Sequence, residues 1–325
     1  MIDDYFVMAS ECHLMPHRTD LNYYPRFKHV GPLIERLGKL WIKPDCRPED
    51  MPQGWLADDL IKAMDEADID VGTALRESMM DFTGWASCFS TNGWIMEQIE
   101  KYKDRLFLEA NVGPILKRGV KEAIWEMEYL VKERNAKLIK VYQCEDIGPL
   151  NAPAMWPFYE KAAELGVPLT VHTGLSYVWG QPTKNNLPIH LEDVLRDFPD
   201  LNIIAYHMGW PDHEQLFGMT IPYGNLYIGL SGIVGWFVNA PYRGYHLIGE
   251  AIQYRGGADR LVFGLDWPCV NPKACVDYIK NLDMPDELVE KWGYRKITEQ
   301  DKRMILGETL AGLTNVEVRK RSKNS

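Results

Sequence analysis

Short β-rich runs recur along this chain, each far enough from the next to leave room for a helix. That alternation limits the available folds more than any other feature. The candidate strands span 5–10, 71–75, 106–112, 138–142, 168–172, 202–207, 226–230 and 261–264. Most are apolar throughout, as parallel strands covered on both faces are. Helical patterns lie at 55–67, 120–133, 155–165, 191–198, 242–254 and 272–282. The first sets Leu56, Leu60, Ile61 and Met64 at helical spacing, and Gly166 followed by Pro168 supplies a helix stop and then a strand start. Eight β–α alternations within roughly 250 residues or slightly more predict a TIM (β/α)8 barrel. The rival, a doubly wound open sheet, needs a glycine-rich phosphate turn after its first strand. Glu11-Cys12-His13-Leu14-Met15-Pro16 is not such a turn.

The chain has 325 residues and no internal repeat, low-complexity tract or Gly/Ser linker, so 1–325 is read as one barrel domain. Two stretches exceed a bare barrel. Residues 14–54 separate the first strand from the first helix and carry six prolines. A connection of that length predicts an inserted cap over the barrel mouth. From Asp283 onward, patterns at 298–306 and 309–313 predict extra C-terminal helices.

The formal charge of −10 is spread along the chain, which disfavours nucleic acid and anionic membranes as partners. A small anionic substrate stays compatible, because local groups decide its binding. The six cysteines show no CxxC spacing, and the start, Met1-Ile2-Asp3-Asp4, is acidic where a signal peptide would be basic and then apolar. No apolar stretch approaches the length of a membrane span. These features predict a cytoplasmic protein with reduced, mostly buried thiols.

Polar residues at the ends of the strand runs carry the chemistry. Glu11 and His13 close the first run and, two residues apart, face the same side of a strand. Cys12 alternates away from them and is read as packing. His172 closes the fifth run, His207 the sixth, and Asp266 follows the eighth. Singly, each has a plain structural reading: a hydrogen-bonded core histidine, or a carboxylate capping a helix. In a TIM barrel, however, strand C-termini converge on one face. Polar groups ending apolar strands there are costly unless paired, and a divalent metal would satisfy them together. Imidazole plus carboxylate suits zinc, manganese or iron(II), and the lack of a thiolate cluster argues against a structural zinc. Lys140 ends the fourth run and is read as a lysine pairing with neighbouring carboxylates.

Beyond these residues, the chain resembles the amidohydrolase superfamily. Within it, the resemblance is to the branch of aminocarboxymuconate-semialdehyde decarboxylase and the γ-resorcylate, 5-carboxyvanillate and related aromatic-acid decarboxylases. It runs from Glu11-Cys12-His13 to Ile305-Leu306-Gly307-Glu308-Thr309. Its most specific pieces are Thr170-Val171-His172, Tyr206-His207-Met208-Gly209 and the stretch Asp259-Arg260-Leu261-Val262-Phe263-Gly264-Leu265-Asp266-Trp267-Pro268. The resemblance implies one Zn2+ or Mn2+ ion held by Glu11, His13, His172 and Asp266, with His207 and Asp266 catalytic, and a homo-oligomer, dimer or tetramer.

A set with two carboxylates offsets the charge of a dication and makes it a weaker generator of hydroxide than three imidazoles would. That fits non-oxidative decarboxylation of a hydroxylated aromatic or enol carboxylic acid, with Asp266 delivering a proton to the ring carbon. The alternative is a metal-dependent hydrolase of an amide, lactone or cyclic ketone, or a hydratase. Several decarboxylases of the branch carry an arginine about a dozen residues after the sixth-strand histidine. Here 209–224 holds no Arg or Lys and has His213 instead. Arg18, Arg76 and Arg243 are the candidate substitutes. Tyr177, Trp179, Trp210 and Trp267 follow strand ends and predict an aromatic-lined substrate pocket.

Overall fold

Alternation along each strand decides how this barrel is filled. The computed structural model describes residues 5–15, 39, 55–76, 90–176 and 182–321. Its strands are β1 (Met8–Leu14), β2 (Val71–Arg76), β3 (Leu106–Asn111), β4 (Leu138–Val141), β5 (Leu169–His172), β6 (Ile203–Tyr206), β7 (Leu226–Gly229), β8 (Leu261–Val262) and β9 (Gly264–Trp267). All pair in parallel, in the order β8-β7-β6-β5-β4-β3-β2-β1-β9. β8 and β9 are two pieces of one eighth strand, separated by Phe263. The first pairs with β7 and the second with β1, so the sheet closes on itself as the predicted TIM barrel. The interruption has a specific cause: the Phe263 N–H donates to the Ile305 carbonyl instead of to a strand (3.0 Å).

Residues of one parity face outward and pack under the helices. Ala9, Leu108, Ala110, Ile139, Val141, Leu169, Val171, Ile203, Ala205, Leu226 and Ile228 belong to this large buried layer. Each fully buried branched aliphatic side chain contributes about 1.5–3 kcal/mol. The other parity fills the lumen. Met8, Val71, Leu138, Ile204, Tyr227 and Val262 form its lower floor, sealed by Leu310 and Ala311 of the helix Thr309–Thr314. Two residues higher on the same strands, apolar side chains give way to Ser10, Thr73, Glu109, Lys140, Thr170 and Tyr206, all buried. The lumen is therefore dry at the bottom and polar at the top, where the strands end.

The helices follow the predicted order, with Ala57–Ala67, Val120–Arg134, Trp156–Leu165, Leu191–Asp197, Pro241–Arg255 and Pro272–Lys280 close to the expected ranges. Gly166 ends its helix in the left-handed region at φ 63°, a conformation that glycine adopts without penalty. Asn92–Ile99, capped by the Thr91 side chain, and His213–Met219 are helices the sequence patterns did not single out. The extra C-terminal helices are present as Asp286–Trp292 and a continuous run from Glu299 to Thr314 with a π-helical turn at Met304–Glu308.

The expected cap, 14–54, lies outside the described residues except for Leu14, Met15 and Lys39. Its two ends meet, since the Met15 N–H donates to the Trp55 carbonyl at 2.9 Å. The described chain on either side of it is therefore held together beside β1. Cys12, Cys144 and Cys275 are buried and Cys269 is half-buried; Cys46 and Cys88 lie outside the described residues. No helix among the described residues is long and apolar enough to cross a membrane.

One boundary needs correction. The first strand was expected at 5–10, with Glu11 and His13 just beyond it, but β1 runs through both. Its pairing slips between Ala9 and Cys12 against β2, and between Ser10 and Cys12 against β9. Glu11 at φ 57° is the bulged residue. A bulge adds a residue to one strand and re-aims its side chain, which period-two alternation cannot reveal.

Candidate metal centre

The upper lumen gathers Glu11 and His13 from β1, His172 from the end of β5, His207 just past β6 and Asp266 from β9. Two sets of three donor atoms each lie within 4.8 Å of one another: Glu11, His172 and His207, and Glu11, His13 and Asp266. Glu11 belongs to both. His13 Nε2 stands 3.1 Å from Asp266 Oδ1 and 3.9 Å from Glu11 Oε1. His207 Nε2 stands 2.8 Å from His172 Nδ1 and 3.7 Å from Glu11 Oε1. All five residues singled out at the strand ends therefore meet.

The backbone marks the same place. Seven non-glycine residues among those described have positive φ. Asp68, Asn135 and Asn315 are ordinary helix C-caps. The other four are Glu11, His207, Met208 and Asp266. Left-handed backbone in non-glycine residues is costly and persists where the surroundings over-determine it, typically at functional sites. Gly232, at φ 70°, closes the wall opposite. A Cβ there would come within 3.0 Å of Asp266 Oδ2 and 3.2 Å of His207 Nδ1.

Glu11 is the electrostatic focus. One oxygen accepts a short hydrogen bond from the Lys140 ammonium, the other from the Ser231 hydroxyl. Burial alone would raise its carboxyl, but Lys140, His207 and His13 overturn that and hold it well below the carboxylate range. His172 is pushed well below the usual histidine range, by burial first and then by His207 and Lys140, so it presents the neutral imidazole that metal binding requires. Its ring is packed edge-on by Tyr142, with centroids 4.5 Å apart. Lys140 pairs with a carboxylate as expected, and that carboxylate is Glu11 itself.

Two contributors were not anticipated. Ser231, after β7, touches Glu11 through its hydroxyl, and its carbonyl accepts from His207 Nδ1 (2.9 Å). Glu109, in the middle of β3, accepts from the Glu11 N–H (3.2 Å), the Thr73 and Thr170 hydroxyls (2.6 Å each) and the Tyr206 hydroxyl (2.9 Å). A glutamate within the apolar run Leu106-Phe107-Leu108-Glu109-Ala110 was the available signal. The hydrogen-bonded set thus brings three carboxyl groups, Glu11, Glu109 and Asp266, to the upper lumen beside one amine, Lys140. A donor set of imidazole nitrogens and carboxylate oxygens fits a divalent cation.

The predicted substrate contacts divide. Arg76 ends β2, but its guanidinium donates to the Asn111 and Gly113 carbonyls (2.6 and 2.7 Å), which ties β2 to the loop after β3. Trp267 is buried in the outer core layer. Trp210 is half-buried beside His207 and meets Trp236 edge-on at 4.9 Å. Arg243, on the helix Pro241–Arg255, stacks over Trp236, 4.1 Å from its ring centroid. Tyr177, Trp179 and Arg18 lie outside the described residues. The stretch 209–224 forms the helix His213–Met219 with His213 at its start and contributes no lysine or arginine.

The sequence profile of the amidohydrolase family matches residues 11–309. Over 173 residues, 43% of this chain, the sequence is 26% identical to γ-resorcylate decarboxylase from Polaromonas sp., and the match spans 52% of that protein, about half its length. Two solved structures share the fold over nearly the whole chain. One is 5-carboxyvanillate decarboxylase from Novosphingobium aromaticivorans, complexed with manganese and 4-hydroxy-3-methoxy-5-nitrobenzoic acid (14% identity, 97% of each chain, TM-score 0.64). The other is a probable 2-pyrone-4,6-dicarboxylic acid hydrolase from Acinetobacter baumannii with citric acid bound (16% identity, 95% of this chain and 99% of that one, TM-score 0.55).

Proposed function

The chain belongs to the amidohydrolase family, and from that premise we propose that it is a metal-dependent, non-oxidative decarboxylase of a hydroxylated aromatic or enol carboxylic acid. The observation that carries this reading is the contrast between its two carboxylates. Glu11 is fully buried and clamped by Lys140 and Ser231. Asp266 is partly exposed at the mouth and touches His13. The first is built to hold charge, the second to meet a substrate.

Glu11, His13, His172 and Asp266 are the residues that would hold a Zn2+ or Mn2+ ion, the latter present in the similar decarboxylase structure. When bound, the ion would grip the substrate carboxylate and its neighbouring oxygen. Asp266, given a proton by the substrate's hydroxyl, would pass it to the ring carbon that bears the carboxylate. The C–C bond breaks, its electrons restore the aromatic ring, and CO2 leaves. His207, held by Ser231 and His172, keeps a proton next to this exchange. Arg243, stacked on Trp236 whose ring meets Trp210 beside His207, is the described guanidinium assigned to an anionic substrate.

Hydrolysis is the second reading, favoured by the absence of lysine and arginine from 209–224 and by the hydrolase among the similar structures. The test is a panel of hydroxybenzoates followed by lactones and cyclic diketones, with the Mn2+- and Zn2+-loaded protein. CO2 release from a hydroxybenzoate supports decarboxylation. New carboxylate without CO2 overturns it in favour of hydrolysis.

A further inference from the structure

Lys140 and Glu109 are buried charges of the lumen to which decarboxylation assigns no step. The Lys140 ammonium rests on Glu11 Oε1. That oxygen also lies 3.7 Å from His207 Nε2 and 3.9 Å from His13 Nε2, at the point the two donor sets share. A cation is thus already seated on the atom around which the centre is organised. Glu109 acts from one layer below. It holds the bulged Glu11 backbone through its N–H and fixes the Tyr206 hydroxyl, and the Tyr206 ring faces Lys140 Nζ at 4.2 Å from its centroid.

We infer that Lys140 is a built-in competitor for the Glu11 oxygen and that Glu109 opposes it, the pair setting how tightly the centre holds a divalent cation. The inference rests on the reading of Glu11 as part of a metal site. The ammonium holds the Glu11 side chain in place when no metal is present, and must yield its contact when a dication arrives. Glu109 adds negative charge beneath the same point without being among the clustered donors.

The two residues should therefore act in opposite directions, which general loosening of the core cannot imitate. Mn2+ binding to the chelator-stripped full-length protein is measured by calorimetry and by the loss of the free-ion EPR signal. Lys140→Met should bind Mn2+ about tenfold tighter or more, and Glu109→Gln about tenfold weaker, with the double variant falling between them. Where Lys140→Met is poorly folded without metal, Lys140→Gln carries the same test, because it keeps an amide donor to Glu11 without the charge. Thermal melting with and without Mn2+ should show a larger metal-induced rise for either Lys140 variant than for wild type. Weaker binding in every variant, or no change in any, overturns the proposal and leaves the metal site standing. A wild-type protein that binds no Mn2+ overturns both.

Discussion

His207 Nε2 lies 2.8 Å from His172 Nδ1, so one proton serves both rings. The outer nitrogens face carbonyls that can only accept: His207 Nδ1 meets Ser231 O at 2.9 Å and His172 Nε2 meets Leu175 O at 3.1 Å. The His172 edge that faces His207 is the edge of the donor set that a metal would use. Uptake of Zn2+ by the stripped protein should therefore break this contact. The imidazole NMR signals of the two residues read this directly, and unchanged signals on metal uptake would contradict the wiring.

The pH dependence of the metal-free protein follows from two shifts of the same sign. Glu11 and His172 both lie below their ordinary values of 4.5 and 6.5. In each case the unfolded chain binds the proton more readily. The stability they contribute is complete above the unfolded values and is lost as pH falls toward the folded ones. Melting temperature should decline from about pH 6.5 downward, first through His172 and then through Glu11. A flat profile between pH 7 and 4 would remove the electrostatic account of the centre.

Asp266→Asn should lower kcat about 10²–10⁴-fold, the range for loss of a positioned proton donor, while near-UV circular dichroism and melting stay close to wild type. The amide preserves shape and can still bond His13. Near-normal turnover would remove Asp266 from its assigned role.

His13→Ala should lower divalent affinity by more than about tenfold and lower metal content after chelation and reloading, measured by elemental analysis. Unchanged metal content would make His13 a packing residue beside Asp266.

Arg243→Met should raise KM for a carboxylate substrate about tenfold, the value of one charge-assisted contact, with kcat nearly unchanged because the guanidinium is not among the clustered donors. Equal loss in kcat and kcat/KM would place it in the chemistry instead.

Much of this centre was legible because barrel topology converts strand ends into neighbours. His172, His207 and Asp266 needed only a correct strand count to be brought beside Glu11 and His13. What escaped was register. The bulge at Glu11 and the break at Phe263 depend on hydrogen bonds to strands and helices far away in the chain, and neither alters local hydrophobic periodicity. Glu109 and Ser231 escaped for a related reason. A lone polar residue in or beside an apolar strand reads as ordinary until its parity shows that it faces the lumen. Arg76 shows the converse case, since a guanidinium at a strand end also binds backbone carbonyls, which sequence does not reveal.

The split eighth strand makes completion of the centre a late event in the life of the chain. β9 closes on β1 through Ser10 with Gly264 and Cys12 with Trp267, and His13 meets Asp266 across 253 positions of sequence. A chain emerging from the ribosome can assemble the first seven strands yet has no Asp266 to set against Glu11 and His13. Ring closure and the complete donor set therefore arrive together, so a partly synthesised or C-terminally nicked barrel would hold an excess of histidine and carboxylate without the geometry to trap an ion.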